Sequence, residues 1–490
     1  MVGIGSKVWT RVLNVVVEHP VRVAFFGSLL LSLIAVWGAA TVGRDAAFYL
    51  TIAQDVQVHG SKAAFETFNW PWFSLLLAGT HAVLALPIEL SAYLWCSLFA
   101  AGTCALLVDC VRQRSVQVAP WACLVVLAMP AFNQFRGEIL REFGFWFFCS
   151  LTFWLAMRWQ ARGGWLRAAT LHLAIVAAAA FRLEALLLLP ALGLWQLPGL
   201  WLRERRLALA QFVALPLLGV VTGLVLVSVT GGFSSARVAY YLDLINPSSV
   251  LASFELLREQ FANSLINKYS QDEAGRIIFF GILAAMAIGF VNICGPFAVP
   301  FLLGRNWQSI KRYWHEYRPF AWAAALYLLV LLLFFIKQQF MNLRYMSFLN
   351  LLFVPALALA LQMFAQQFPR LGKVLVAVGL LVMLSNVVSS GPGKVQYVDA
   401  GRWMAANVEP DVPAYFDDGR IGYYAGRGYQ LKQLTREAAM SPAHVDQFRY
   451  FLIEARGNEP WLTRWLAERD LRIVERFANR RGATVLIITR

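Results

Sequence analysis

Apolar runs long enough to cross a bilayer recur from residue 23 to residue 389, and no other property of the sequence narrows its fold so far. A membrane-spanning helix needs about 20 predominantly apolar residues. Such runs lie at 23–42, 89–111, 117–134, 143–157, 168–181, 184–202, 207–229, 277–303, 320–336, 345–366 and 373–389. With 59% hydrophobic and only 14% charged residues among 490, the chain carries more apolar surface than a soluble core could bury. The sequence therefore reads as an all-α polytopic membrane protein of about eleven transmembrane helices with additional interfacial helices. The net charge of +15 is spread through loops without a long basic run, which suits lipid headgroups and carries no nucleic-acid signature. All six cysteines fall within or at the ends of apolar runs, so no disulfide framework is implied, and the six histidines lack zinc-binding spacing.

Orientation follows from the basic residues in the loops. Lys7, Arg11 and Arg22 precede the first apolar run, which is too long for a signal-peptide core and reads as a retained span with the N-terminus in the cytoplasm. A twelfth apolar run, 70–86, decides the parity of everything after it. If it lies along the interface, the loops bearing Arg112/Arg114, Arg158/Arg162/Arg167, Arg203/Arg205/Arg206, Arg305/Lys311/Arg312/Arg318 and Arg370/Lys373 all share the N-terminal side, as basic loops should. If it crosses, all of them face outward. Asn69-Trp70-Pro71-Trp72-Phe73 at its start, with two indoles and a proline, is a headgroup-level signature and supports the interfacial reading. Beyond residue 389 the composition turns polar, with Gly391-Pro392-Gly393 as a hinge and strand-like runs at 412–416 and 484–488. Residues 1–389 thus form a transmembrane domain, and 390–490 a small α/β domain on the outer, periplasmic side of a cell inner membrane.

The outer segments hold the ionisable residues that apolar packing does not explain. In 43–55, Asp45, Tyr49 and Ala53 recur every four residues and share one face of a helix, with the carboxylate in the first turn. Arg44 and Asp45 either serve a site on that face or merely cap an interfacial helix. In 135–144, Glu138 and Glu142 stand four apart, among Arg136 and Arg141, just before a short aromatic run, so on a helix the two glutamates share a face. Arg182 and Glu184 interrupt an otherwise apolar stretch between two short spans, and Lys337, Arg344 and Tyr345 mark the outer end of another. Each has a structural alternative in a polar hairpin turn or a snorkelling cation. Positional explanations do not account for several arginines and acids gathered on the outer side, against the usual bias.

These residues resemble the membrane-embedded GT-C glycosyltransferases, specifically the dolichyl-phosphate-mannose-protein mannosyltransferase and aminoarabinose lipid A transferase group. The likeness covers the layout of residues 20–390: an acid after the first span in D-x-x-x-Y-x-x-x-A spacing (Asp45, Tyr49, Ala53), amphipathic helices in the first outer loop, a second acid (Glu142), the polar 181–184 turn, and Arg344-Tyr345. It departs where Arg-Asp replaces an Asp-Glu pair, where Glu replaces the commoner second Asp, and where Asn69-Trp70-Pro71-Trp72 stands in place of a lysine-proline motif. The resemblance implies a transferase that takes a sugar from a polyprenyl-phosphate donor at the outer face. Its acceptor is a glycan, lipid or protein hydroxyl, and the reaction proceeds with inversion. Asp45 is then the general base and Glu142 the second catalytic acid. Arg44, Tyr49, Glu138, Arg141, Arg182, Glu184, Lys337, Arg344 and Tyr345 bind substrate. No cofactor is certain; two carboxylates without histidine suit a hard divalent cation, Mg or Mn, if a metal takes part.

Two other classes stay open on the residues alone. A lipid-linked glycan transporter or flippase typically shows internal repeats and midplane polar groups. Neither is evident. A scaffold for the C-terminal segment would leave the outer acids without a role.

Overall fold

The computed structural model describes residues 14–230, 236–388, 393–430 and 434–490. Among them, seven helices are long and apolar enough to cross a membrane: Pro20–Trp37, Ile88–Arg114, Leu183–Leu200, Arg203–Thr222, Ala274–Leu302, Arg318–Gln338 and Pro369–Val387. An eighth span arises if Leu343–Leu352 and Val354–Gln367, bent by 64° at a single residue, are taken together. Three of the eleven expected runs fall short. Ala119–Ala128 stops because Met129, before Pro130, is extended, a position from which proline excludes helix. Trp165–Phe181 ends at an extended Arg182. Glu142–Arg162 is long enough at 21 residues, but it carries Glu142, Arg158 and Arg162 and owes much of its apolar content to aromatic rings. The run at 70–86 forms a helix, Trp72–Leu84, of 13 residues. That is roughly 20 Å, against a hydrocarbon core of about 30 Å.

The chain divides into two compact units. The first comprises Met1–Leu33, Cys96–Arg136 and Arg141–Val387. Its core is helix on helix, filled by stacked aromatic rings such as Phe153 on Phe320, 4.2 Å between centroids. The bend between Leu343–Leu352 and Val354–Gln367 lies inside it. Pro355 removes a backbone donor there, and the Tyr313 hydroxyl donates to the Leu352 carbonyl at 3.0 Å. Asn350, fully buried one turn earlier, donates to the Phe290 carbonyl at 3.2 Å.

The second unit comprises Ile34–Trp95, Gly137–Leu140 and Val388–Arg490. Helix Arg44–His59 packs there on Trp72–Leu84, joined by the Ser74 hydroxyl donating to the Tyr49 carbonyl at 2.9 Å. Four strands, β1 (Ala414–Phe416), β2 (Tyr450–Glu454), β3 (Arg472–Ala478) and β4 (Thr484–Thr489), form one sheet in the order β1-β2-β4-β3. Only the β1–β2 pair is parallel. Alternation along β2 and β4 buries both faces: Phe451, Ile453, Leu486 and Ile488 point into one apolar cluster, and Leu452, Val485 and Ile487 into another. The strand-like runs at 412–416 and 484–488 correspond to β1 and β4. Within the expected hinge, Gly391 and Pro392 lie outside the described residues, as do Lys7 and Arg11 near the N-terminus.

Candidate functional site

In the first unit, Arg182 is the centre of the most heavily charged buried cluster. Its backbone is extended between helix Trp165–Phe181 and the tight turn Leu183–Leu187, so its side chain turns inward where a continuous helix would have pointed it elsewhere. Arg182 is 9% exposed. Its Nη1 donates to Glu142 Oε1 at 2.8 Å, and its Nη2 to Glu184 Oε1 at 2.5 Å. The guanidinium also lies over the Tyr345 ring, 4.7 Å from its centroid. Tyr345 is fixed in turn by the Tyr327 hydroxyl, which donates to its carbonyl at 3.0 Å. A cavity of about 180 Å³ opens beside this group, lined by Arg141, Arg182, Glu184, Tyr240, Tyr327 and Tyr345 among others. Five residues singled out from the sequence, Glu142, Arg182, Glu184, Arg141 and Tyr345, thus gather in one place. Glu142, the second acid, holds an arginine. Buried carboxylates are tolerated when a guanidinium bridges them in this way.

Two further candidates of this unit, Lys337 and Arg344, do not line that cavity. Lys337, in the last turn of Arg318–Gln338, is tied to the Asp243 carboxylate and to the Ser249 hydroxyl at 2.7 Å. Arg344 follows the cap residue Asn342, whose side chain accepts from the Arg344 N–H at 2.9 Å. The expected face shared by Glu138 and Glu142 does not form. Residues 134–141 are turn and loop, and the helix begins only at Glu142. The cause is local. Gly137 approaches the backbone so closely that a Cβ there would meet the Ala35 carbonyl oxygen at 3.1 Å. Arg136 is 2% exposed and donates to Asn133 Oδ1 at 2.6 Å and to the Ser28 and Ser32 hydroxyls at 2.8 and 3.1 Å, so it is a structural tie to the first apolar run.

In the second unit, Asp45 sits half-buried in the first turn of Arg44–His59, whose N-cap is Gly43. An acid in the first turn is favoured by the positive end of that helix dipole. Glu138 is near: its Oε2 lies 3.8 Å from where a Cβ on Gly43 would stand. Tyr49 is buried, its ring 5.5 Å from that of Phe73. Arg44 grips Asp418 Oδ2 through Nε and Nη2 at 3.0 and 2.9 Å. Asp418 also accepts from Arg420 Nε, Nη2 and backbone N–H at 2.8, 2.8 and 3.0 Å. Burial alone would raise the Asp418 carboxyl, but the hydrogen bonds and charge of Arg420, with those of Arg44, bring it down to about 2. Sequence reasoning missed Asp418, Arg420, Asp243 and the tyrosines at 240 and 327. An Asp-Asp-Gly-Arg run directly after a strand-like run, the form of a capped turn, was the signal available for the first two.

A divalent cation fits the buried cluster poorly. Glu142 and Glu184 each spend an oxygen on Arg182, and only Glu184 Oε2 is buried without a hydrogen-bond partner. No group of three or more metal-ligating side chains occurs among the described residues.

The sequence matches no protein-family profile and no curated protein. Solved structures do resemble it. The Archaeoglobus fulgidus oligosaccharyltransferase, crystallised with a tethered acceptor peptide containing the NVT sequon, aligns over 92% of this chain and 70% of its own at 11% identity and a TM-score of 0.50. ArnT from Cupriavidus metallidurans in the apo state aligns over 99% of this chain and 98% of its own at 15% identity and a TM-score of 0.44. The chain is a multi-pass helical membrane protein with a small C-terminal sheet, and its fold is like that of the Archaeoglobus fulgidus oligosaccharyltransferase.

Proposed function

We propose that this protein is a membrane glycosyltransferase that moves a sugar from a polyprenyl-phosphate donor to an acceptor hydroxyl at the outer face of the inner membrane, with inversion. The observation that carries the reading is the buried Arg182, locked between Glu142 and Glu184 over Tyr345 beside a tyrosine-lined cavity. A cation fixed in a low-dielectric wall is suited to a leaving phosphate, which is a weak base and needs charge stabilisation more than a proton. Tyrosine rings and hydroxyls suit a sugar, which offers apolar C–H faces and many hydrogen-bonding groups. The likeness of fold to an oligosaccharyltransferase supports the same reaction class by analogy. In this reading Asp45 deprotonates the acceptor, and the bond to the anomeric carbon forms as the bond to the lipid phosphate breaks. Arg141, Arg182 and Arg344 balance the phosphate charge. Glu142 acts through Arg182. The N-terminus lies in the cytoplasm and the sheet in the periplasm.

Asp45→Asn tests this. A lost general base costs about 10²–10⁴-fold in rate, whereas a carboxylate serving only the helix N-terminus costs about 0.3–1 kcal/mol of stability and leaves activity per folded molecule intact. Transfer from a polyprenyl-phosphate sugar is measured per mole of folded protein, with donor binding followed separately. Turnover of Asp45→Asn within a few-fold of wild type removes Asp45 as the base; if Glu142→Gln is also normal, the transferase reading fails.

A further inference from the structure

The first unit contains a second polar cavity, at the opposite end of helix Arg318–Gln338 from the Arg182 cluster. Tyr327, Val330, Leu331 and Phe334 of that helix line the cavity beside Arg182, while Arg318 and Pro319, at its start, line the other. Tyr327 to Phe334 lie 9 to 16 residues beyond Arg318 on this helix, roughly 14–24 Å at the α-helical rise. The second cavity is larger, about 370 Å³, and is walled by Arg114, Gln160, Arg205, His315, Glu316 and Arg318. Three guanidiniums therefore face a single carboxylate. That carboxylate is already engaged, since Glu316 accepts from Arg312 Nε at 3.0 Å. Among the described residues Arg114 meets a neutral partner, donating to Gln160 Oε1 at 2.7 Å. Arg205 and Arg318 have no carboxylate partner among the described residues. Both stand at helix starts, Arg205 just before Arg206–Thr230 and Arg318 as the first residue of its helix, so two positive dipole ends add to the field. A lining of this charge favours an anion.

What kind of anion follows from its neighbour. A cleft of about 320 Å³ shares Trp195, His315 and Arg318 with the cationic cavity and is walled by Trp201, Trp314 and Trp322, with leucine and proline between. Four indoles beside a cationic chamber, at the end of apolar helices, provide an apolar trough next to a phosphate-sized charge site. A free anion would use the first and leave the second idle. We infer that the two together bind a glycerophospholipid with an anionic headgroup, its phosphate among Arg114, Arg205 and Arg318 and one acyl chain along the tryptophans. Basic pockets between spanning helices on the cytoplasmic side recognise such headgroups, and indoles settle at this depth. The site is independent of the transferase reading, since no residue of the Arg182 cluster takes part.

The test uses the purified full-length protein in a non-ionic detergent, titrated calorimetrically with short-chain phosphatidylglycerol, with phosphatidylcholine of the same chain length, and with inorganic phosphate. Phosphatidylglycerol is expected to bind at least tenfold more tightly than either of the others. At about 1 kcal/mol for each basic residue at an anionic lipid surface, Arg205→Gln/Arg318→Gln weakens it roughly 30-fold. Arg205→Lys/Arg318→Lys, which keeps both charges, stays within about fivefold of wild type. Inorganic phosphate binding as tightly as the lipid overturns the proposal in favour of a free-anion site. Phosphatidylcholine binding equally well reduces the site to the apolar cleft alone and also overturns it. So does a glutamine double variant within threefold of wild type, or equal loss in the glutamine and lysine pairs.

Discussion

One carboxylate in the second unit is held by two arginines of very different burial, and the difference sets unequal costs for removing them. The side chain of Asp418 is 1% exposed; that of Arg420 is 8% exposed and that of Arg44 64%. Arg420→Gln takes away a buried partner that makes two side-chain bonds at 2.8 Å. Breaking a buried pair from one side costs about 3–5 kcal/mol. Arg44→Gln removes an exposed ion pair worth about 0–1 kcal/mol, because water already screens it. At 1.4 kcal/mol per decade, hydrogen exchange of the amides in 414–421 should quicken by two to three and a half orders of magnitude in the first variant, and by less than about fivefold in the second. Mass-spectrometric exchange on the full-length protein resolves the two. Equal loss of protection, or none in Arg420→Gln, refutes the burial argument. The pH dependence has a fixed sign. The folded carboxyl sits at about 2 against an ordinary 3.8, so its contribution is complete above about pH 4 and is lost as pH falls towards 2. Nearly two units correspond to about 2.5 kcal/mol. Asp418→Asn should remove that acid-sensitive component.

Three further outcomes are expected. Gly144→Ala places a Cβ into the Phe181 ring, next to Arg182; overpacking of this kind costs about 1–3 kcal/mol, visible as a lower unfolding midpoint in detergent, and an unchanged midpoint contradicts the packing. Arg182→Lys keeps the charge but cannot reach Glu142 and Glu184 while covering Tyr345, so donor binding should weaken at least tenfold; unchanged affinity removes the cluster from the donor site. A cysteine at Arg114 should react with membrane-impermeant reagents only from the cytoplasmic side, and labelling in intact cells from outside contradicts the orientation.

The helical membrane fold was legible because apolar length alone specifies it, and the Arg182–Glu184 interruption was legible because charges within an apolar run are costly without partners. What escaped was long-range. Nothing local in 135–144 reveals that Gly137 meets the Ala35 backbone and halts the helix, so Glu138 and Glu142 were assigned a common face they do not share. Arg136 stood in the sequence among the charges of 135–144, yet its partners include Ser28 and Ser32, four apart on the first apolar run and over a hundred residues away. β3 gives no signature of a buried strand, because Arg472, Glu475 and Arg476 break it up and most of it is exposed, whereas β2 does carry an apolar run, Phe451-Leu452-Ile453, and was passed over despite it. Arg44 carried an ionic signal, but its partner Asp418 lies 374 residues further on.

The break at Phe353 has a consequence for how the chain enters the membrane during synthesis. Its halves, 10 and 14 residues, are about 15 and 21 Å long, too short to partition into lipid as independent spans. The first half carries Asn350 besides, and the loosened carbonyl of Leu352 needs a donor that hydrocarbon does not supply. Both requirements are met by earlier residues, Phe290 for the amide and Tyr313 for the carbonyl. Translation delivers those partners first. The bent segment thus emerges to find its shelter already made, and an order of synthesis that placed 343–367 ahead of 274–316 would leave it stranded at the translocon, where quality control acts.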